Sequence, residues 1–217
     1  MISYHDNYYK GAGLMFFMFL TTEEAQRQKE ILRREIFEKR RKLSKEKQEQ
    51  YSEQITEFFL GLLDEDLKDK RKFFVYAPMQ NEVNSTEIIN ELLKRNKIVT
   101  VPLVKYEGIM VPVQIYSLDD IRYSGTKIPS PLFRGEYSGD LEVCITPCVA
   151  FDERGNRLGR GRGCYDKFFA LPQNQGLEKV ALAFETQMCV EIPLEKTDIR
   201  MDRIITESGI ILANRLK

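Results

Sequence analysis

Short apolar runs of strand-like composition alternate with amphipathic, charge-flanked segments along most of this chain, and no other feature restricts its fold as much. Residues 72–77 (KFFVYA), 97–103 (KIVTVPL), 108–116, 141–146 (LEVCIT), 179–184 (KVALAF) and 203–206 (RIIT) are short and rich in β-branched and aromatic side chains, as strands require. Residues 203–206 read as an edge strand. Between the first two runs lies 85–95 (STEIINELLKR), apolar at helical spacing and capped by Asn84 or Ser85. Two longer helices come first. Glu23 and Glu24 suit a first helical turn, and Ile31, Leu32, Ile36, Phe37 and Leu43 follow as an apolar stripe. Ser44 then caps a second helix whose Ile55, Phe58, Phe59, Leu62 and Leu63 face a core. Strands interleaved with helices predict an α/β fold: a largely parallel central sheet flanked by helices in three Rossmann-like layers, preceded by an N-terminal helical hairpin.

At 217 residues the chain fits a single domain, assigned to residues 21–217, with residues 1–20 as a disordered or loosely packed extension. The apolar run 14–20 (LMFFMFL) is far shorter than the ~20 residues that cross a bilayer. Asp6 and the lack of a small-residue cleavage site argue against a signal peptide. The 33 basic and 33 acidic residues cancel, which argues against wholesale nucleic-acid or membrane binding while permitting a local basic site. Cys144, Cys148, Cys164 and Cys189 form no CxxC pair, and the only histidine is His5, so neither a zinc site nor a disulfide framework is expected. Reduced thiols fit a cytoplasmic protein, and a monomer is the expected state.

The segment after 141–146 runs PCVAFDERGNRLGRGRGCYDKFF. In open α/β sheets ligands bind beyond the carboxyl ends of strands, and this loop follows such an end. Gly159, Gly161 and Gly163 let the backbone approach a ligand and turn its N–H groups into an anion-binding concavity. Arg157, Arg160 and Arg162 add bidentate donors suited to phosphate, and a helix starting near Gly163 adds its N-terminal potential. The loop contains neither GxxxxGK[ST] nor GxGxxG, so it is not a Walker or dinucleotide loop. A flexible turn and an Arg-Gly RNA-binding segment remain alternatives, although the latter belongs to net-basic tracts. Asp166 favours phosphate, because a carboxylate behind a basic cradle suits a magnesium ion bridging phosphates.

These residues closely resemble the signature of the 5-formyltetrahydrofolate cyclo-ligases, also called methenyltetrahydrofolate synthetases: AFD, two residues, G, any residue, RLG, a basic G-x-G turn and YYD. The resemblance runs from about Lys29 to about Glu207, and four weaker motifs stand in order around the loop. Lys29, Leu32 and Arg33, then Arg40 and Leu43, match an opening K-x-x-L-R helix in which the Lys and Arg at the positions of Lys29 and Arg33 reach the nucleotide phosphates. Residues 79–86 (MQNEVNST) resemble the turn whose glutamate contacts the reduced pterin, which implies Glu82, with Ala77 and Met79 beside it. Residues 125–131 (GTKIPSP) are similar to a turn near the folate. Residues 193–206 (PLEKTDIRMDRIIT) are similar to a segment whose aspartate, here Asp198, pairs with Asp166 around Mg²⁺; Asp202 is the next carboxylate along.

The resemblance implies ATP-dependent cyclisation of 5-formyltetrahydrofolate to the 5,10-methenyl product. Lys29, Arg33, Arg157, Arg160 and Arg162 would bind ATP with Gly159, Gly161, Gly163 and Tyr165. Arg160, Arg162 and Tyr165 would be catalytic, and Ala77, Met79, Glu82, Arg160 and Cys164 would meet the folate. Cys164, Ser130 and Thr197 depart from the family pattern, where a tyrosine, an acidic residue and a histidine are common. A folate-binding relative without turnover, and an ATP-dependent ligase for another substrate, are the competing readings.

Overall fold

The computed structural model describes residues 22–123 and 128–213. The extension at 1–20, and with it His5, lies outside these residues, as do residues 125–127 of the 125–131 motif. The described chain opens with α1 (Thr22–Arg41) and α2 (Lys45–Asp64). After β1 (Lys72–Val75) come α3 (Thr86–Lys94), β2 (Ile98–Val104), β3 (Met110–Ile115) and β4 (Val143–Pro147). The short α4 (Cys164–Phe169), β5 (Glu178–Leu182), β6 (Arg203–Thr206) and β7 (Gly209–Leu212) complete it. The seven strands form one sheet in the order β7-β6-β5-β4-β1-β2-β3. From β6 across to β2 all pairings are parallel, and antiparallel strands close both ends.

Alternation along each strand explains the layers. Phe73, Val75, Val143, Ile145, Val180, Leu182 and Ile205 point to one face and pack with α2 and α3. Phe74, Cys144, Ala181 and Ile204 point to the other and pack with Phe168 and Phe169 of α4. Both faces are therefore covered, as parallel sheets need. The helices of the expected N-terminal hairpin diverge after the turn at 42–44. The apolar part of α1 joins a smaller cluster with Val149, Ala150, Leu158 and Ile192, away from the sheet core that receives α2. Ser44 accepts the Lys47 N–H at 3.3 Å and caps α2 as expected. At α3 the roles divide: Asn84 Oδ1 accepts the Thr86 N–H, while the Ser85 hydroxyl turns inward to the Tyr76 carbonyl.

Several expectations need correction. Ile31 and Phe58 are exposed, because each sits off the stripe its helix buries. Residues 203–206 do not form the edge: residues 209–212 fold back on them as β7, which the short apolar run GIIL did not announce. Pro147 lies inside β4 rather than after it. No helix among the described residues is long and apolar enough to cross a membrane. At the far edge of the sheet Pro102 of β2 faces Pro112 of β3, and the Pro112 carbonyl accepts the Tyr137 N–H at 2.8 Å.

The stretch leading to the glycine–arginine loop is organised by Asp152, fully buried just after β4. Its Oδ1 accepts the Arg154 and Asn156 N–H groups, and its Oδ2 accepts the Asn156 amide and the Ile192 N–H, all within 3.0 Å. One carboxylate thus ties the turn both to itself and to the 189–195 segment. Gly155, in this turn, has φ +84°, and a Cβ there would lie 2.5 Å from the Ala213 Cβ and 2.9 Å from the Met201 carbonyl. Gly155→Ala is expected to lower unfolding free energy by about 2–4 kcal/mol, combining left-handed strain with a backbone clash. Urea denaturation measures it; a loss below roughly 0.5 kcal/mol, the range of neutral surface changes, would mean the turn repacks freely.

Candidate active site

The sheet order places a topological switch point between β1 and β4, since the chain leaves β1 toward β2 on one side and leaves β4 toward β5 on the other. Connections that part in this way leave a crevice at the carboxyl ends of the two strands, where ligands bind in open α/β folds. A cavity of about 160 Å³ occupies this place. Residues following β1 (Tyr76, Ala77, Met79, Glu82) and β4 (Cys148, Val149) make its floor. The loop 157–163 and the start of α4 make one wall, and Pro102, Val104 and Met110 an apolar one. Ile128 and Pro129, from the described part of the 125–131 motif, close the rim.

Glu82 is anchored on both oxygens. Its Oε2 accepts the Met79 N–H at 2.9 Å, and its Oε1 accepts Nε and Nη2 of Arg160 at 3.0 and 2.8 Å. The turn that presents it requires Asn81 at φ +62°, a conformation that asparagine tolerates better than most residues. The tie between Glu82 and Arg160 joins the residue assigned to folate with a residue assigned to phosphate.

The loop itself behaves as its glycines suggest. Gly161 has φ +102°, and its Cα lies against the Arg33 guanidinium; Gly163 is the left-handed residue before α4. Gly159 has an ordinary φ, but its carbonyl accepts Arg33 Nε at 2.9 Å. Arg160 and Arg162 are exposed, whereas Arg157 is buried. The Arg157 guanidinium lies over the Tyr165 ring at 5.2 Å, reaches the Pro147 carbonyl, and faces Asp166 at 3.6 Å. Its Nε has no hydrogen-bond partner among the described residues. The environment of Arg157 is thus that of a wall-builder as much as of a phosphate ligand. The Tyr165 ring meets Phe74 and Phe169, and burial pushes its hydroxyl well above the usual phenol range, so it remains an O–H donor.

Ala77, Met79, Glu82, Arg157, Gly159, Arg160, Arg162, Gly163, Cys164, Tyr165 and Asp166 of the expected set all border the cavity. Lys29, Arg33, Gly161 and Asp198 do not; they lie behind the loop. Lys29 is buried and pairs with Glu195 at 2.8 Å and Asp198 at 2.5 Å. Burial lowers the Arg33 guanidinium from its usual range, opposed by Glu30, Asp198 and Glu195. Asp202 is engaged elsewhere, accepting the Lys179 N–H and ammonium.

Asp166 and Asp198 do lie on adjoining segments, because Asp166 Oδ1 accepts the N–H of Ile199. Asp198 Oδ2 is engaged by Lys29 and the Glu195 N–H, while no hydrogen bond from the described residues reaches its Oδ1. Among the described residues, Asp166 Oδ2 is held only by the 3.6 Å contact with Arg157. Each therefore keeps one oxygen that no hydrogen bond from the described residues reaches, and a magnesium ion there would take its remaining ligands from phosphates and water. An ion held by protein alone does not fit, since no group of three His, Cys, Asp or Glu side chains among the described residues could ligate one.

Two residues escaped assignment from the sequence. Asp152 looks like any turn aspartate until its four donors are seen. Arg40 is buried at the end of α1, and the spacing of Lys29, Arg33, Ile36 and Arg40 on one helical face was the signal for it. Cys148, on the floor, has its thiol pushed up to about 12 by burial, which makes it a poor nucleophile.

The sequence profile of the 5-formyltetrahydrofolate cyclo-ligase family matches residues 25–207. A mouse protein named 5-formyltetrahydrofolate cyclo-ligase is 29% identical over 193 residues, covering 82% of this chain and 93% of the relative. One of the same name from Haemophilus influenzae is 26% identical, covering 80% and 95%. The solution structure of Aquifex aeolicus 5,10-methenyltetrahydrofolate synthetase superposes with a TM-score of 0.71 at 26% identity, covering 87% of this chain and 94% of the other. With a family profile spanning six of the seven strands and the loop that walls the cavity, the chain belongs to the 5-formyltetrahydrofolate cyclo-ligase family.

Proposed function

We propose that the chain converts 5-formyltetrahydrofolate and ATP to 5,10-methenyltetrahydrofolate, ADP and phosphate in the switch-point cavity. The observation that carries this reading is the Glu82–Arg160 pair, which brings a carboxylate suited to a pterin's ring N–H groups into contact with a guanidinium suited to phosphate. The apolar wall of Pro102, Val104 and Met110 suits the flat face of a pterin.

The chemistry needs activation of a formyl oxygen, because an amide oxygen is a poor leaving group. The oxygen attacks the γ-phosphorus and the bond from phosphorus to the β-bridging oxygen breaks, releasing ADP. The resulting imidate phosphate is attacked at its formyl carbon by N10. The C–O bond then breaks, phosphate leaves, N10 loses its proton, and the N5 lone pair completes the amidinium. No protein nucleophile is required, in keeping with thiols that burial holds protonated. Phosphoryl transfer is mainly positioning and charge stabilisation. Arg160, Arg162 and the N–H groups of the loop are the donors nearest the cavity for this task, and Tyr165 donates its proton as a hydrogen bond without giving it up. Arg33 braces the loop through the Gly159 carbonyl. Lys29 compensates Asp198, which with Asp166 would hold Mg²⁺. That ion would neutralise phosphate charge as the oxygen bonds exchange.

Incubating the protein with ATP, Mg²⁺ and 5-formyltetrahydrofolate should produce the absorbance of the methenyl product, and omitting ATP should abolish it. Folate binding without turnover would select a non-catalytic relative instead. Asp166→Ala is expected to fold yet lose about 10²–10³ in turnover, the usual weight of one electrostatic contact to a transition state. Near-normal turnover at saturating Mg²⁺ would sink the metal assignment. Cys164 borders the cavity with its Sγ packed toward Gly108, so Cys164→Tyr should extend the wall and lower the folate KM. An unchanged or higher KM would show that no contact is missing there.

A further inference from the structure

Arg40 is unusual among the cations of this protein. It is 3% exposed, and among the described residues it makes no ion pair and its Nη1 has no hydrogen-bond partner. Its guanidinium leans on the Phe37 ring at 5.1 Å. A buried guanidinium with no ion pair and an unbonded Nη1 among the described residues is unfavourable, which points to a second state in which that donor is bonded. Lys29 and Arg33, on the same face of α1, already have their partners. Arg40 stands between Ile36, which packs with Val149 of the floor, and Leu43, which packs against the cluster that holds Tyr76 and Val83 on either side of the Glu82 turn; Glu82 attracts its guanidinium and Arg160 repels it.

Glu82 and Arg160 have conflicting duties in the reaction proposed above. Arg160 gives Glu82 its Nε and Nη2, the edge that binds phosphate oxygens in bidentate fashion. Glu82 is 8% exposed and Arg160's side chain 41%, so Arg160 is the member that can leave. If it turns to the nucleotide, Glu82 keeps only the Met79 N–H and stands as a buried carboxylate without a cation.

We propose that Arg40 is a positioning residue for Glu82: when Arg160 turns to the nucleotide phosphates, Arg40 supplies the cation and donor that hold Glu82 in place against the folate. The exchange couples the two halves of the site. In the ligand-free protein Arg160 occupies Glu82 and Arg40 idles; with nucleotide bound the guanidiniums trade duties, and folate meets a carboxylate that is still anchored. This inference rests on the ATP-dependent reading of the site.

The test compares the wild type with Arg40→Met and Arg40→Lys, measuring the folate Kd by calorimetry with and without a non-hydrolysable ATP analogue. With the analogue, Arg40→Met should weaken folate binding by roughly ten- to hundredfold, the weight of a hydrogen bond to a charged group. Without it, the loss should be small, because Arg160 still serves Glu82. Arg40→Lys should recover most of the affinity. The ligand-free Arg40→Met protein should unfold at the same or a higher temperature than the wild type, since it loses a buried charge that has no ion pair among the described residues. Equal weakening with and without the analogue overturns the proposal, as does a lowered unfolding temperature with unaltered folate binding. Failure of the ATP reading shows separately, as a wild type that does not bind the analogue.

Discussion

The parting of the chain at the carboxyl ends of β1 and β4 is the constraint on which the site depends. Five parallel strands force right-handed crossovers over both faces, and where the direction of winding changes no crossover fills the gap above the strands. Most of the residues assigned a chemical duty border that gap, while Lys29, Arg33 and Asp198 stand behind the loop. Glu82 comes from the turn after β1, the arginines from the loop after β4, and α1 lies behind the loop rather than on the sheet. The gap would be too loose to hold a small molecule if the loop were free. Asp152 prevents that, because four hydrogen bonds to one buried carboxylate fix both the turn and its distance from the 189–195 segment.

Charge in the site is arranged in two ranks. The outer rank, Arg160 and Arg162, is exposed and can change partners. The inner rank, Lys29, Arg33, Arg40 and Arg157, is buried or half-buried, and each member has a different tie: carboxylates, a carbonyl, an aromatic ring, or an aromatic ring with a carboxylate. Such a set raises the local potential without collapsing onto the acids, which would occur if every arginine found a carboxylate of its own. The zero net charge of the whole chain hides this concentration.

The α/β class and the glycine–arginine loop were legible because both are local. Period-two and period-3.6 patterns need only neighbours along the chain, and of the three loop glycines expected to turn left-handed Gly161 and Gly163 do so while Gly159 does not. The burial of Lys29 was not legible, since Glu195 and Asp198 stand more than 160 residues away and meet it only after the sheet has formed. Ile31 and Phe58 show the reverse error: apolar letters near a stripe were counted into it, although a helix buries only the side its neighbours cover. β7 was missed because GIIL after a tight turn alternates half-buried with exposed residues and carries no polar letters to reveal it. The pairing of Asp166 with Asp198 was an expectation of the family resemblance rather than of composition; the structure shows Asp166 accepting the N–H of Ile199, next to Asp198.

The opposed prolines at the β2–β3 edge have a bearing on how this protein behaves in a crowded solution. An exposed edge strand is a template on which another chain can add its own backbone, and growth from such edges leads to aggregates. Pro112 has no N–H to offer an incoming strand, and its carbonyl is already taken by Tyr137. The row of donors and acceptors is thus broken in the middle of β3, and a newcomer would find too few adjacent sites to register. Pro112 acts as a guard against fibrous self-association, built into the flank of the sheet that also walls the cavity.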